Sequence, residues 1–147
     1  MDKKTDLDID LRKSVIIVDD DEVVLKLLNV ILNKMGFRDI RQAVDGQKAL
    51  ITLLNTNPVL VITDIDMPVM DGLQLVHQIR RQRKFDPVPI LALTANDTKE
   101  MVIKALKTGI DSYLIKGEIK EAEVREKIKD AIHFRQQKLA KMGIVIT

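Results

Sequence analysis

Pro58-Val59-Leu60-Val61-Ile62-Thr63-Asp64 is apolar from Val59 to Ile62 and ends on a carboxylate. The run has no polar alternation, the pattern of a strand buried on both faces. Such strands belong to parallel sheets, and open α/β folds place their chemistry at the carboxyl edge of those sheets. Asp64 therefore marks a candidate site edge. The segment that follows it is Asp66-Met67-Pro68-Val69-Met70-Asp71-Gly72.

Outward from this strand, two textures alternate. Val15 to Val18 is a β-branched apolar run, hence a strand. Glu22 to Met35 carries Val24, Leu27, Leu28, Ile31 and Met35 at helical spacing, and Gly36 suits the positive φ of a helix C-terminus. Asp39 to Val44 is a second strand, and Asp45-Gly46 opens a helix through Leu54. Leu73 to Arg83 is a third helix, Pro87 to Leu93 a fourth strand, and Thr98 to Lys107 a fourth helix stopped by Gly109. Ser112 to Ile115 is a fifth strand, and Ile119 to about Lys138 the last helix. Five βα units predict an α/β fold, a doubly wound (βα)5 parallel sheet with helices on both faces. Right-handed crossovers put every strand's carboxyl end on one edge.

At 147 residues the chain is expected to be one domain. Residues 1–12 are expected to form a flexible polar arm, 13–135 the domain, and 136–147 a helix extension or tail. With 24 basic against 22 acidic residues, long-range attraction to nucleic acid or anionic membrane is not expected. The absence of cysteine excludes disulfides, cysteine nucleophiles and thiolate metal sites. No apolar stretch approaches a membrane span, and a cytoplasmic location is expected.

The residues just past each strand converge on the shared edge. Asp19, Asp20, Asp21 and Glu22 follow the first strand, Asp64 the third, Thr94 the fourth and Lys116 the fifth. Two or three carboxylates with open positions suit Mg²⁺, a hard cation that keeps waters. A lysine and a hydroxyl nearby suit a phosphoryl group, and a carboxylate beside the metal can act as nucleophile.

Val18-Asp19-Asp20, Asp64 with Met67-Pro68 and Asp71-Gly72, Leu93-Thr94-Ala95, and Tyr113 three residues before Lys116 resemble the receiver domain of two-component response regulators (the CheY-like superfamily). The resemblance covers about residues 13–135 and implies the flavodoxin-like strand order 2-1-3-4-5. It implies that Asp64 is the phosphoacceptor and that Asp19, Asp20, Asp64 and the backbone carbonyl of Asp66 hold Mg²⁺. Lys116 would pair with the phosphoryl oxygens, Thr94 would swing to bond them, and Tyr113 would change rotamer behind it. These movements would remodel the face of the fourth helix, fifth strand and fifth helix. The implied partners are a sensor histidine kinase or histidine phosphotransfer protein and a downstream effector, with a possible homodimer through that face. The implied chemistry is self-phosphorylation and dephosphorylation, not turnover of an external substrate. Asp66 and Asn96 are the positions where receivers tune phosphate lifetime.

Gly117 departs from the pattern, since the family usually has proline after the lysine; a trans bond is expected here. Other readings compete elsewhere. Asp21 reads as a helix N-cap and Asp71-Gly72 as a turn and cap. His77 and His133 have no metal-spaced neighbour. Arg80-Arg81-Gln82-Arg83-Lys84 reads as a solvated helix end. Ile128, Ile132, Leu139 and Met142 have a coiled-coil-like spacing that Arg135 interrupts, against which stands an ordinary amphipathic helix. Residues after 135 are too few for an output domain, so output would come from docking another protein. The alternative is a receiver excised from a hybrid kinase or multidomain regulator. A haloacid-dehalogenase-type phosphatase would share Asp64-x-Asp66, but there the pair follows the first strand.

Overall fold

The computed structural model describes residues 7–67, 69–95 and 98–143. Pro68, Asn96, Asp97 and the two chain ends lie outside that range, and the expectations placed on them lie outside it too. Five strands, β1 (Ser14–Val18), β2 (Asp39–Ala43), β3 (Pro58–Asp64), β4 (Ile90–Thr94) and β5 (Ser112–Ile115), alternate with five α-helices. These are α1 (Glu22–Lys34), α2 (Gly46–Leu54), α3 (Gly72–Arg80), α4 (Lys99–Thr108) and α5 (Glu121–Lys141). All strand pairings are parallel, and the order is β2-β1-β3-β4-β5, as expected. The order reverses between β1 and β3, so the crevice of a doubly wound sheet opens between those two carboxyl ends. Val18 pairs with Thr63, which sets Asp19 level with Asp64.

The apolar strands serve two cores. Val15, Ile17, Leu60, Ile62, Leu91 and Leu93 meet α1 and α5 on one face. Ile16, Val18, Val61, Ile90 and Ala92 meet α2, α3 and the Ala105 turn of α4 on the other. Successive side chains of a strand point to opposite faces, so a continuous apolar run is what two covered faces require. Gly36 and Gly109 close α1 and α4 with φ of +102° and +121°. That backbone region is open to glycine and costly for other residues.

Two expectations need correction. Residues 7–12 are not a free arm: Leu7 and Leu11 are 2% and 7% exposed and join the α1–α5 core beside Phe37 and Ile132. The Leu11 carbonyl accepts from the Arg38 amide at 3.1 Å, and Gln136 Nε2 donates to Asp8 Oδ2 at 3.2 Å. Charged neighbours mask the Leu7-Ile9-Leu11 apolar set in the sequence. The run from Arg80 is not wholly solvated either. Arg80 Nη2 donates to Asp111 Oδ2 at 2.8 Å and to the Val88 carbonyl at 2.9 Å, and its Nε donates to the Gly109 carbonyl at 3.1 Å. Arg135 Nε, from α5, donates to the other oxygen of Asp111 at 2.9 Å. Burial pulls the Arg80 guanidinium down to about 10 against the charge of Asp111, leaving it protonated at neutral pH.

That pairing also explains the interruption in α5. Ile128 and Ile132 are buried in the core shared with α1 and the sheet, Leu139 and Arg135 are buried as well, and Met142 is 55% exposed. The spacing serves internal packing in an ordinary amphipathic helix, which runs to Lys141.

Candidate functional site

Asp19 is the residue after β1, and its side chain is fully buried; Asp64 ends β3 and is 2% exposed. Asp20 is exposed. Each of these three residues offers a carboxylate oxygen, all within 4.8 Å of one another, the one such acidic group among the described residues. Lys116, just past β5, reaches into the cluster: Nζ lies 2.9 Å from Asp64 Oδ2 and 3.0 Å from Asp19 Oδ2. The remaining oxygens face backbone. Asp19 Oδ1 accepts from the Asp21 amide at 2.8 Å, and Asp64 Oδ1 accepts from the Asp66 amide at 3.2 Å. Asp19 Oδ2 is buried and, despite the nearby ammonium, receives no aligned hydrogen bond.

The electrostatics follow from this packing. Burial raises Asp19 above its ordinary value more than the Asp21 amide and Lys116 lower it. Burial likewise raises Asp64, opposed by the Lys116 hydrogen bond and reinforced by the charge of Asp19. For Lys116, burial pulls downward, but pairing with the Asp64 and Asp19 carboxylates outweighs it and the ammonium is held above its ordinary value. Two crowded, desolvated carboxylates sharing one cation have a deficit of positive charge. Hard oxygen donors with an underused buried oxygen are a set that fits a small divalent cation such as Mg²⁺.

The neighbouring acids do what their positions suggested. Asp21 caps α1, accepting from the Val23 amide at 2.9 Å. Asp71 caps α3 in a capping box with Gln74. Thr94 is buried at the carboxyl end of β4, beside Ile115, so it stands on the same edge as Lys116. Tyr113 is half-buried on β5 and packs toward the core under α2 and α3, with Lys127 Nζ 5.6 Å from its ring centre. Met67 and Met70 pack that same core from the loop after β3. His77 and His133 belong to no acidic or metal-spaced group among the described residues.

Gly117 sits in a short 3-10 turn, Lys116–Glu118, and no cis peptide bond occurs among the described residues. Lys116 reaches both carboxylates with glycine in that position. Sequence reasoning did not find the close approach at two other glycines. A Cβ at Gly72 would fall 2.1 Å from the Asp64 carbonyl oxygen, and one at Gly46 would fall 2.7 Å from the Met70 carbonyl oxygen. Glycine directly after an aspartate at two helix starts was the available signal.

Comparison with known proteins agrees with this geometry. Residues 15–129 match the model of the response regulator receiver domain. A chemotaxis protein CheY homolog of Campylobacter jejuni is 33% identical over 118 residues, covering 80% of this chain and 90% of that protein. The alkaline phosphatase synthesis transcriptional regulatory protein PhoP of Bacillus subtilis is also 33% identical, over 81% of this chain but 48% of its own length. Among solved structures, the receiver domain of the sensor histidine kinase PA1611 from Pseudomonas aeruginosa, with a magnesium ion in its active-site cleft, aligns with a TM-score of 0.73 and 28% identity. That alignment covers 83% of this chain and 98% of the other. The chain belongs to the response regulator receiver domain family.

Proposed function

We propose that this protein is a phosphorylation-activated switch that accepts a phosphoryl group on Asp64. The carrying observation is the single ammonium of Lys116 shared between Asp64 Oδ2 and Asp19 Oδ2 at 2.9 and 3.0 Å. That arrangement holds a nucleophilic oxygen and a phosphate-binding cation together, with a second acid beside them. A carboxylate oxygen of Asp64 attacks phosphorus, and the phosphorus bond to a histidine nitrogen of the donor, or to the acyl oxygen of a small phosphodonor, breaks. Lys116 then exchanges a carboxylate oxygen for a phosphoryl oxygen. Asp19, Asp20, Asp64 and the backbone carbonyl of Asp66 would hold Mg²⁺, which supplies charge neutralisation for the phosphoryl oxygens.

Thr94, on the same edge, bonds the phosphoryl group, and Tyr113 shifts with it. The changed surface is α4-β5-α5, where an effector protein or a second copy of the chain docks. The phosphodonor is a sensor histidine kinase or a histidine phosphotransfer protein. Chemistry stops at the protein's own phosphorylation and dephosphorylation. No helix among the described residues is long and apolar enough to cross a membrane, and we place the protein in the cytoplasm.

The test is incubation with Mg²⁺ and acetyl phosphate, read by intact mass and site mapping. One phosphoryl group on Asp64, absent in Asp64→Asn and absent with chelator, supports the assignment. Continuous phosphate release from unrelated esters would replace it with a phosphatase.

A further inference from the structure

The Gly46 amide, at the start of α2, donates to the Met70 carbonyl at 3.3 Å. A Cβ built on Gly46 would lie 2.7 Å from that carbonyl oxygen and 2.9 Å from Met70 Cγ. Real Cβ atoms do not approach backbone so closely, so the position accepts hydrogen alone. Gly46 is buried, and the first turn around it is fixed by Asp45, whose Oδ1 accepts from the Lys48 amide at 2.8 Å.

Met70 belongs to the segment joining β3 to α3, whose near end carries the Asp66 amide that donates to Asp64 Oδ1. Its far end is equally tight, since the Gly72 amide donates to the Ile65 carbonyl at 2.9 Å. Beside Met70, Val69 holds a φ of +68° and is 77% exposed. A β-branched residue seldom adopts that conformation, and an exposed one gains nothing there from its own packing. The flanking contacts must impose it, and Gly46 with Met70 is one of them.

We infer that Gly46 is a positioning residue for the acidic site. The backbone at the start of α2 braces the segment after Asp64 and so fixes the Asp66 backbone beside Asp19, Asp20 and Asp64. α2 contributes no group to the cluster, so the effect passes through Met70. The inference rests on the Mg²⁺-dependent reading of the site given above.

The experiment is a Mg²⁺ titration of ¹⁵N-labelled protein, beginning metal-free, with acetyl phosphate labelling in parallel. Gly46→Ala is expected to move the Asp66 and Gly72 amide resonances before any metal is added. It is also expected to weaken Mg²⁺ binding about tenfold, the size of effect seen when support behind a metal ligand is removed. Asp45→Ala frays the same turn without adding a Cβ and should weaken binding in the same direction; it carries the test if Gly46→Ala does not fold.

Gly36→Ala is the stability control. Its φ of +102° makes a side chain strained, and it lies at the end of α1, away from the site. It should lower the melting temperature and leave Mg²⁺ affinity unchanged. Wild-type affinity and an unmoved Asp66 amide in the Gly46 variant, or in the Asp45 variant where only that one folds, would overturn the inference while leaving the phosphoacceptor reading intact. An equal loss of affinity in Gly36→Ala would also overturn it, as a mere consequence of stability. A wild type that binds no Mg²⁺ would overturn the functional reading, and the inference with it.

Discussion

Lys116 Nζ touches Asp64 Oδ2 at 2.9 Å across 52 residues of sequence. The contact joins the central strand β3 to the end of the edge strand β5, and it separates two roles. The carboxylates supply the oxygens that would hold a cation, whereas the ammonium supplies charge for a phosphoryl group. Lys116→Ala should therefore retain Mg²⁺ binding within about threefold and slow acetyl phosphate labelling about a hundredfold, the scale of losing one charged donor. Calorimetric titration and timed intact-mass measurements give both quantities. Unchanged labelling would remove Lys116 from its assigned role.

Asp64 makes a prediction about acidity. In the metal-free protein, burial raises its pKa above the ordinary 3.8, opposed by Lys116 and assisted by Asp19. The folded state thus binds this proton at a higher pH than the unfolded state does. The stability linked to Asp64 is fully present below its unfolded value and is lost as pH rises through its folded value. At pH 7 the wild type holds an unfavourable charge that Asp64→Asn lacks. In chelator the variant should therefore melt higher than the wild type at pH 7. The gap should close as pH falls toward 4. A variant that melts lower at pH 7, or a gap that widens on acidification, would contradict the burial argument.

What the sequence made legible was periodicity and the ends of strands. Val59 to Ile62 announced a doubly covered strand, and the polar residue after each strand could then be gathered at one edge by topology alone. Asp19, Asp64 and Lys116 meet there as anticipated. Contacts made by atoms without periodicity were hidden. Leu7 and Leu11 lie among charges, and they are buried in a cluster with residues distant in sequence, such as Phe37 and Ile132. Arg135 was visible as a charge on an apolar helical stripe, a position that demands a buried partner. Nothing local named Asp111 as that partner, because the pairing spans from α5 to the start of β5.

The Asp111 carboxylate is bonded by two guanidinium groups and by the Ile90 amide, the last at 2.8 Å. Asp111→Asn leaves two buried cations without their counter-charge. It should cost roughly 3–5 kcal/mol in urea unfolding. Arg135→Met should cost less, since Asp111 keeps Arg80 and the methionine refills the apolar stripe. A larger loss in Arg135→Met would mean that packing of α5, and not charge pairing, dominates this corner.

Leu11 tests the packed N-terminal segment. Its side chain is buried, and its Cδ1 would lie 3.1 Å from a Cβ on Gly36. Leu11→Ala should destabilise the domain by about 2–5 kcal/mol, as buried leucines do. Because this segment packs beside the start of β2, far from the carboxyl edge, labelling of the folded fraction should not change. Stability within 0.5 kcal/mol of wild type, an approximate threshold for surface changes, would restore the view of residues 7–12 as a free arm.

Gly117 closes the comparison between this chain and the family pattern. Its φ is not among the positive values, and a Cβ there would meet nothing within 4 Å. The native backbone therefore makes no use of glycine's freedom, and glycine's cost falls in the unfolded state, where its entropy is greatest. Gly117→Ala should stabilise the protein by about 0.4–1 kcal/mol in thermal unfolding. It should also leave labelling of Asp64 unchanged, since Lys116 already reaches both carboxylates from this turn. If the substitution instead slows labelling, glycine at this position serves motion of the lysine during phosphoryl transfer, and the turn Lys116–Glu118 is part of the switch.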